Sequence, residues 1–470
     1  MRRKIVIIGI DGATWSLLMT WIKDGHLPAL AAFTKNGIWG YLESTIPPTT
    51  IPAWNSLSSG MRPEDINIYA FMHRIRNFTF KPYFSSMRYK KVPYLWDILT
   101  EHNLKSIVLN VPVIHKPYRI NGYMVAGFLY LDENNLTYPS ELKRELDNVV
   151  GGYEVDIVAP YPLTKKEDLK RLKNITIKQI NAFKYLLKRK EWDLAFIVIT
   201  ATDTIQHRYY DDKKALLDFY MTIDRHLVEI KDIVNMVTNG KYRLFIVSDH
   251  GFGPAYRVFY INTWLYSQGL LRLKKKPNKY IQCFNALASR SKNFLLPLIP
   301  LSLRKRIKSK IVKESSIEEI IDPESSVALG YGNMGLIYLN DTLSEREYRD
   351  KVNFIAEELK KLGMNILKKN EIYKRPEAIH DKRAPDIVIT IDDNVSAINT
   401  SIGKCLFSKG KGGNHRLDGI FVIYPCMKRE DNAKKLQIYD IAPSVLEELD
   451  IDVPKYIYGT SISEKFNIDL

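Results

Sequence analysis

The stretch Lys4-Ile5-Val6-Ile7-Ile8-Gly9-Ile10 is an almost unbroken apolar run, and Asp11-Gly12 follows it at once. A continuous apolar run of this length is typical of a strand that is buried on both faces of a parallel sheet. Two later runs, at 194–200 and 242–247, repeat the pattern, and a helical pattern separates them. These runs predict an α/β protein with a central, mostly parallel sheet.

Acidic residues stand where these three predicted strands end. Asp11 follows the first run directly, and Asp203 and Asp249 come shortly after the second and third. In open α/β sheets, ligands gather at the carboxyl ends of the strands. Asp11 alone is equally compatible with a site carboxylate and with the N-cap of the next helix. Three acidic strand ends, two of them with a histidine close by, favour a site.

A hydroxyl residue, Thr50, stands at the start of a short predicted helix. Residues 46–60 read Ile-Pro-Pro-Thr-Thr-Ile-Pro-Ala-Trp-Asn-Ser-Leu-Ser-Ser-Gly. Pro52 suits the first helical turn, and Gly60 suits the end of the helix. Unpaired N–H groups and the positive end of the helix dipole would stabilise an alkoxide or a phosphate ester at Thr50. Helix capping is the ordinary role of such a threonine, so this stretch alone predicts either a cap or a nucleophile.

Length and cysteine usage describe an ordinary globular protein. The chain has 470 residues, 45% of them hydrophobic, enough for one large α/β domain with insertions or for two to three domains. Cys283, Cys405 and Cys426 are far apart and odd in number, which favours neither a disulfide framework nor a thiolate metal site. The first apolar run is too short for a signal peptide, and no stretch reaches the roughly 18 apolar residues of a membrane span. We therefore expect a soluble cytoplasmic protein.

Most of the formal net charge of +16 comes from one segment. Between Arg272 and Lys313 there are thirteen Lys and Arg residues and no Asp or Glu. Such a charge run usually forms a solvated flap. The apolar residues 294–301 inside it make docking on an anionic membrane surface the alternative, with the protein peripheral to the membrane. Nucleic acid is the weakest option, because few aromatic residues interleave the charges.

The domain boundaries follow from these features. Residues 1–254 and 325–470 carry the strand and helix patterns and the candidate site residues, so we expect them to form the catalytic core. Residues 132–165 are rich in Tyr, Pro and Asn near their start and read as a cap loop. Residues 255–324 read as a basic insertion or flap.

The candidate site residues form a set of nitrogen and oxygen ligands with one hydroxyl. They are Asp11, Thr50, Asp203, His207, Asp249, His250 and His415. Such a set suits one or two divalent ions, with zinc favoured by the imidazoles and manganese as the alternative. Two ions can hold a phosphoryl oxygen and assist both the nucleophile and the leaving group. The hydroxyl of Thr50 would then be the nucleophile.

The order of these residues resembles the alkaline phosphatase superfamily, most closely its type I phosphodiesterase / nucleotide pyrophosphatase branch, over nearly the whole chain. The motifs that carry the resemblance are Asp11 after the first strand, Thr50-Ile51-Pro52, Asp203-x-x-x-His207, Asp249-His250-Gly251 and Asn414-His415-Arg416-Leu417-Asp418-Gly419. The resemblance implies an alkaline-phosphatase-like α/β/α sandwich that carries cap insertions.

The resemblance also implies a mechanism with two metal sites. One ion would be held by Asp203, His207 and His415, and the other by Asp11, Thr50, Asp249 and His250. Thr50 would attack the phosphorus of a small-molecule phosphodiester or pyrophosphate, and water would hydrolyse the threonyl-phosphate.

The sequence departs from this family pattern just after the nucleophile helix. Relatives often read Pro-x-x-His-Gly there, whereas this chain has Pro63-Glu64-Asp65-Ile66-Asn67. Nucleotide pyrophosphatases also use an Asn about twenty residues past the nucleophile to hold a phosphoryl oxygen. The stretch 69–74 offers no Asn, and His73 or Arg74 is the hypothetical substitute. Nucleotides are therefore not assured as the substrate.

Other functions compete with the diesterase on the same residues. A phosphomonoesterase or another phosphoryl or phospho-head-group transferase would use the same scaffold. A phosphoglycerate mutase needs a Ser nucleophile and a larger inserted domain, and a sulfatase needs an Arg that residues 50–54 lack. A non-catalytic binding protein is the alternative from another class, but an incomplete ligand set would be expected for it.

Overall fold

A computed structural model describes residues 2–83, 92–128, 130, 134–155, 163–274, 320–403, 405–426 and 434–467. The basic segment 272–313 falls outside these residues apart from its first three, and so does the apolar stretch 294–301 within it. The predicted membrane surface and most of the predicted flap, residues 275–319, therefore lie outside the described part of the chain.

The strands alternate with helices along the first half of the chain and become more frequent in the second. They are β1 (Lys4–Ile10), β2 (Ile38–Glu43), β3 (Met72–Arg76), β4 (Thr79–Pro82), β5 (Ser106–Leu109), β6 (Gly122–Val125), β7 (Thr137–Tyr138), β8 (Leu194–Ile199), β9 (Tyr242–Val247), β10 (Gly251–Pro254), β11 (Arg257–Tyr260), β12 (Ala328–Tyr331), β13 (Leu336–Leu339), β14 (Ile366–Lys368), β15 (Ile387–Ile389), β16 (Ala397–Asn399), β17 (Phe407–Lys409), β18 (Gly413–Arg416), β19 (Asp418–Tyr424) and β20 (Lys434–Gln437).

The helices lie on both faces of the main sheet and around a smaller one. They are α1 (Trp15–Lys23), α2 (Pro28–Lys35), α3 (Thr50–Ser59), α4 (Pro63–Ile66), α5 (Leu95–Glu101), α6 (Leu142–Val150), α7 (Lys165–Arg189), α8 (Ala201–Tyr209), α9 (Lys213–Thr238), α10 (Ile261–Ser267), α11 (Glu345–Lys361), α12 (Lys369–Ile372), α13 (Pro376–His380), α14 (Ile441–Glu448) and α15 (Ile462–Phe466). Of the helices in the described ranges, none is both long and apolar enough to cross a bilayer.

The described residues form a nine-stranded sheet in the order β20-β2-β19-β9-β1-β8-β5-β6-β7. β1 lies at its centre and pairs in parallel with both β8 and β9. The interior strands β9, β1, β8 and β5 are wholly buried apart from Lys4, as the unbroken apolar runs require. The predicted α/β fold with a central, mostly parallel sheet is confirmed.

Two apolar layers cover the faces of this sheet. One layer packs side chains of α1, α2, α7 and α9 against Ile8 and Ile10 of β1. The other packs α3, α5 and α14 against Ile5 and Ile7 of the same strand. Successive residues of a strand point to opposite faces, so β1 contributes to both layers. The helix that begins at Thr50 is thereby held against the second face.

A smaller antiparallel sheet, in the order β12-β13-β15-β14, lies beside the main one. Its core includes Tyr338 and Ile387 and is shared with Trp264 of α10. α10 and β11 come from the N-terminal side of the basic segment, and β11 pairs with β16 and β17 from its C-terminal side. The described ends of residues 255–324 are thus packed against the region that follows them.

The predicted cap loop at 132–165 contains regular structure in its described part. It includes β7 and α6, and Leu142 and Leu146 of α6 are buried in the first apolar layer. α6 is strongly amphipathic, with leucines one turn apart on its inner face. The Tyr, Pro and Asn content that predicted a loop masked this short helical pattern.

Candidate metal centre

The carboxyl ends of three neighbouring strands bring the acidic residues together. Asp11 follows β1, Asp249 follows β9, and Asp203 lies in the first turn of α8, which follows β8. Because β9, β1 and β8 are parallel neighbours, their carboxyl ends meet at one edge of the sheet. The order of elements predicted from the sequence therefore produces a single cluster of carboxylates.

The three histidines reach this edge by different routes. His250 follows Asp249 directly, and His207 lies one helical turn after Asp203 on α8. His415 comes from β18, which pairs with β10 so that His415 stands opposite Phe252. The antiparallel pairing of β10 with β18 thus brings a residue from far along the chain to the cluster.

One half of the cluster, here called the closed half, consists of Asp11, Asp249 and His250. All three residues are buried, with 1% exposure or less. His250 Nε2 lies 3.2 Å from Asp249 Oδ2 and 3.6 Å from Asp11 Oδ1. The main-chain N–H of Gly12 donates to Asp249 Oδ1 at 3.2 Å. Asp11 Oδ1 and Asp249 Oδ2 accept no hydrogen bond from any described residue, so both remain open towards the centre of the cluster.

Burial dominates the electrostatics of the closed half. It raises the pKa of Asp11 well above its ordinary value, and repulsion from Asp249 and Asp203 adds to the effect. Burial likewise raises the pKa of Asp249 to about 8, and the charge of Asp203 contributes. Burial, with repulsion from His415, holds the pKa of His250 well below its ordinary value. Without a cation these carboxylates therefore resist ionisation while the imidazole stays neutral.

The other half, here called the open half, consists of Asp203, His207 and His415. Asp203 Oδ1 lies 3.1 Å from His415 Nε2 and 3.3 Å from His207 Nε2. The two Nε2 atoms are 2.9 Å apart. The side chains of Asp203 and His207 are 20% and 31% exposed, which makes this half accessible from solvent.

Backbone carbonyls orient all three imidazoles. His207 Nδ1 lies 3.1 Å from Gly413 O, His415 Nδ1 lies 2.7 Å from Pro48 O, and His250 Nδ1 lies 3.1 Å from Gly251 O. A carbonyl oxygen only accepts, so each Nδ1 carries the proton. In the neutral ring, each Nε2 then presents a lone pair to the cluster.

In this arrangement, hydrogen-bond acceptors of the described residues face one another without a donor between them. In the open half the Nε2 lone pairs of His207 and His415 face each other and also face Asp203 Oδ1. Such contacts are repulsive unless a cation lies among them. In the closed half, Asp11 Oδ1 and Asp249 Oδ2 lack a hydrogen-bond donor among the described residues and also require a cation. The residues of both halves therefore fit bound divalent ions.

In the open half, the charges of Asp203 and the histidines offset the effect of burial on one another's pKa. Burial opposes ionisation of Asp203, but His207 and His415 hold its pKa well below its ordinary value. Burial also acts against protonation of His207, and the charge of Asp203 outweighs it and raises the pKa of that imidazole. Burial lowers the pKa of His415. A proton can therefore replace a cation here more easily than in the closed half.

Among the described residues, there are two groups whose ligand atoms all lie within 4.8 Å of one another. Asp203, His250 and His415 form one, and Asp11, Asp249 and His250 form the other. His250 is common to both and stands at the junction of the two halves. The resemblance to the phosphodiesterase branch assigned His207 to the first group instead. His207 lies beside that group, at 3.3 Å from Asp203 Oδ1.

Thr50 is the first residue of α3, and Thr49 is the N-cap. Neither threonine makes a side-chain cap hydrogen bond at this helix end, so Thr50 is not a helix cap. Its Oγ1 lies 3.5 Å from His250 Nε2 at the junction of the two halves. Thr50 is 4% exposed. Its hydroxyl therefore stands at the N-terminal end of a helix and beside the candidate ligands.

His73 and Arg74 have their described contacts elsewhere. His73 is fully buried, its Nε2 accepts from the N–H of Tyr69, and burial lowers its pKa to about 4. The Arg74 guanidinium donates to Leu339 O and Lys382 O, and pairs with Asp386 at 3.5 Å. Among the described residues, no hydrogen bond or ion pair joins either residue to the cluster. Their role as substrate contacts therefore stays a prediction.

Several functional groups at the site were not predicted from the sequence. The carbonyls of Pro48 and Gly413 orient histidines, and a main-chain atom leaves no signal in a residue pattern. The indole of Trp54 donates to Asp11 Oδ2 at 3.2 Å. Its position one turn after Thr50 was a usable signal, because residues four apart share a helix face.

A family sequence model matches most of the chain. The model of the family described as type I phosphodiesterase / nucleotide pyrophosphatase matches residues 5–418. The match spans the seven candidate site residues. A search of curated protein sequences found no match.

Solved structures of similar fold cover nearly the whole chain. Phosphonoacetate hydrolase from Sinorhizobium meliloti, in complex with phosphonoformate, has a TM-score of 0.58 at 15% identity, covering 95% of this chain and 96% of its own. Human ectonucleotide pyrophosphatase / phosphodiesterase 5 has a TM-score of 0.57 at 12% identity, covering 97% of both chains. An inactive threonine-to-alanine variant of the murine protein, in complex with AMP, has a TM-score of 0.56 at 13% identity and covers 96% of both chains. At these identities the likeness concerns the fold.

Proposed function

The chain belongs to the type I phosphodiesterase / nucleotide pyrophosphatase family of phosphoester hydrolases, and we propose that it cleaves phosphodiester or pyrophosphate bonds with Thr50 as the nucleophile. Small-molecule phosphoesters fit this family. The finer assignment of the nucleophile and of two ions rests on the geometry of the cluster.

The observation that carries the proposal is the position of the Thr50 hydroxyl. It lies 3.5 Å from His250 Nε2, and His250 belongs to both candidate ligand groups. A hydroxyl at the junction of two cation sites can be deprotonated and can attack a phosphorus atom held between them. The free N–H groups at the start of α3 favour the negative charge that develops there.

Two divalent ions would be held by the two halves of the cluster. Asp11, Asp249, His250 and Thr50 would hold one, and Asp203, His207 and His415 the other. Imidazole nitrogens favour zinc, with manganese as the alternative. Bound ions would supply charge neutralisation at the phosphoryl oxygens and would lower the pKa of the attacking hydroxyl.

The chain's own residues then carry two displacement steps. The Thr50 Oγ1–phosphorus bond forms as the bond between phosphorus and the leaving-group oxygen breaks, and that oxygen takes up a proton. Water then attacks the threonyl-phosphate, and the Thr50 hydroxyl is restored as the phosphorylated product leaves. Asp11, Asp203 and Asp249 keep the site anionic, so it holds the ions throughout.

We favour a diester over a monoester because two arginines that follow α3, Arg62 and Arg74, are already engaged in ion pairs. A monoesterase needs a cation that clamps the free phosphate. Arg62 pairs with Glu64 and Asp65, at 3.3 and 3.2 Å, and Arg74 pairs with Asp386. Neither has a free guanidinium edge for a phosphate. We therefore do not assign the role of a phosphate clamp to Arg62 or Arg74.

The test of the nucleophile compares Thr50→Ala with Thr49→Ala. Thr49 is equally buried, and its hydroxyl accepts or donates no hydrogen bond among the described residues, so Thr49→Ala is a matched control. We expect Thr50→Ala to lower turnover of an aryl phosphodiester by more than about 10³-fold while metal content stays largely intact. Thr49→Ala should keep turnover within a few-fold. Wild-type turnover in Thr50→Ala would refute the assignment.

The substrate class is tested with three chromogenic esters on the metal-loaded protein. We expect an aryl phosphodiester to be cleaved faster than an aryl phosphomonoester, and an aryl sulfate slowest. A preference for the monoester would replace the diesterase with a phosphomonoesterase on the same scaffold. Metal analysis of the active protein identifies zinc or manganese.

A further inference from the structure

The side chain of Trp54 connects the nucleophile helix to the first strand. Trp54 is fully buried and lies four residues after Thr50, on the same face of α3. Its ring packs in the apolar layer that covers this face of the sheet, 6.1 Å from the ring of Phe196. Its Nε1–H donates to Asp11 Oδ2 at 3.2 Å. One side chain thus joins the helix that carries Thr50 to a candidate metal ligand.

Gly9 leaves the space that this contact needs. A Cβ at Gly9 would lie 2.4 Å from Cη2 of Trp54, closer than any real contact. Gly9 does not have a positive φ, so its backbone conformation does not require glycine. The close approach of the indole, together with Val198 Cγ2 at 2.9 Å from the same position, is the physical reason for a glycine within this buried strand.

The hydrogen bond distinguishes the two oxygens of Asp11. Oδ2 accepts from Trp54, whereas Oδ1 accepts no hydrogen bond from any described residue and lies 3.6 Å from His250 Nε2. The backbone of Asp11 is fixed separately, because Thr202 Oγ1 donates to its carbonyl at 2.7 Å. The remaining freedom is rotation of the carboxylate, and among the described residues the Trp54 N–H is the hydrogen-bond donor that limits it.

We propose that Trp54 is a positioning residue. It turns Asp11 Oδ1 towards the ion of the closed half and keeps Thr50 at a fixed position relative to that ion. The inference rests on the proposed function for the role of Thr50, but its effect on metal binding does not. A hydrogen bond to one oxygen of a ligating carboxylate fixes its orientation and commonly changes metal affinity.

Trp96 provides a matched control for the loss of one indole N–H. It is also fully buried, packs in the same apolar layer, and lies 6.5 Å from the ring of Phe196. Its Nε1–H donates to Tyr118 at 2.7 Å, away from the cluster. Trp54→Phe and Trp96→Phe therefore remove the same group from the same core, and only the first touches a candidate metal ligand.

The experiment measures Zn²⁺ and Mn²⁺ binding to the two full-length variants by chelator competition, without substrate. We expect Trp54→Phe to weaken binding at one of the two sites by about 10–100-fold. Trp96→Phe should bind as the wild type does. In turnover assays, Trp54→Phe should lower kcat with little change in KM, because Thr50 is displaced relative to the ion. Equal metal affinities for the two folded variants would overturn the proposal.

A second variant keeps the test decisive if Trp54→Phe does not fold. Gly9→Ala inserts a methyl group against the indole and alters neither partner of the hydrogen bond. Metal binding weakened as above supports the positioning role, and wild-type affinity in folded Gly9→Ala refutes it. If Thr50→Ala instead retains full activity, the nucleophile assignment fails while the metal-binding comparison of the tryptophan variants still stands.

Discussion

The closed and open halves of the cluster use the same residue types and behave differently. In the closed half, burial raises the pKa of both Asp11 and Asp249, and His250 is kept neutral. In the open half, a partly accessible imidazole, His207, and a buried one, His415, compensate one carboxylate, and the pKa of Asp203 falls. The difference lies in the ratio of carboxylates to imidazoles and in access to water.

This contrast indicates which half depends on a cation. Two buried carboxylates beside a single neutral imidazole have no internal source of positive charge, so ionising both requires an ion from outside. The open half can take up a proton on His207 and remain close to neutral. We therefore expect the closed half to respond more strongly to loss of metal, and the following predictions test that expectation.

The largest effect is expected from His250→Ala, compared with His207→Ala. His250 belongs to both ligand groups and adjoins Thr50, so its loss should reduce kcat/KM on an aryl phosphodiester by on the order of 10³-fold or more. His207 is the most exposed member, and two ligands remain without it, so about 10–100-fold is expected. Metal stoichiometry and kcat/KM of both variants provide the measurement.

His226→Ala serves as the control for a histidine substitution away from the site. It lies on α9, 3.3 Å from Glu229, and should change kcat/KM by no more than a few-fold. If His207→Ala were as damaging as His250→Ala, the two halves would not differ in the way the geometry indicates.

An intermediate effect is expected in the pH dependence of the metal-free protein. The folded pKa of Asp249 is about 8 against an ordinary value of 3.8, so the folded state keeps a proton that the unfolded chain releases first. The stabilising contribution of Asp249 to the free energy of unfolding is therefore fully present below about pH 4. It falls as the pH rises towards 8, by at most about 1.4 kcal/mol per pH unit for one group. Denaturant unfolding in a chelator, from pH 5 to 8, measures this fall.

Asp249→Asn isolates the closed half in the same experiment. The variant lacks the titrating carboxyl, so its metal-free stability should fall less steeply between pH 5 and 8 than that of the wild type. Divalent ions should flatten the wild-type curve, because they stabilise the ionised carboxylates. If the plots of unfolding free energy against pH were parallel for wild type and Asp249→Asn in chelator, the pKa of Asp249 would not be raised in the folded protein.

The smallest effect is expected from Phe252→Leu, which supports the open half. The Phe252 ring is buried and lies 4.8 Å from the ring of His207 and 5.4 Å from that of His415. Exchanging one apolar side chain for another of similar size costs less than about 1.5 kcal/mol, so ion binding should weaken by at most about tenfold. Competition with a chelator should reveal one weakened site and one unchanged. Weakening at both sites would mean that the halves are mechanically coupled.

Much of the fold could be predicted because it depends on local patterns. The apolar runs of β1, β8 and β9 predicted their strands and their central place, since only a strand covered on both faces is apolar throughout. The family resemblance is also confirmed. The helix at 142–150 was missed because loop-type residues surround it. The roles of the seven candidate residues, Thr50 among them, stay predictions that the experiments above test.

The site was harder to predict where it depends on distant contacts. The order of the motifs predicted the cluster residues. The sharing of His250 between two groups, however, depends on how the carboxyl ends of β9 and β8 face each other across β1. The ion pair and hydrogen bonds of Arg74 join it to Leu339, Lys382 and Asp386, which lie more than 260 positions along the chain. A residue pattern carries no information about such a pairing.

By itself the sequence determined the α/β class, the strands that lead into acidic residues and the residue types of the candidate ligand set, because periodicity and residue chemistry are local properties. The tertiary structure alone decided which carboxylates are buried together, which carbonyls turn the imidazoles, and that the indole of Trp54 reaches Asp11 across Gly9. These features depend on the distance between segments that only packing brings together, and distance sets both desolvation and hydrogen bonding. The division of the cluster into a closed and an open half is therefore a property of the fold.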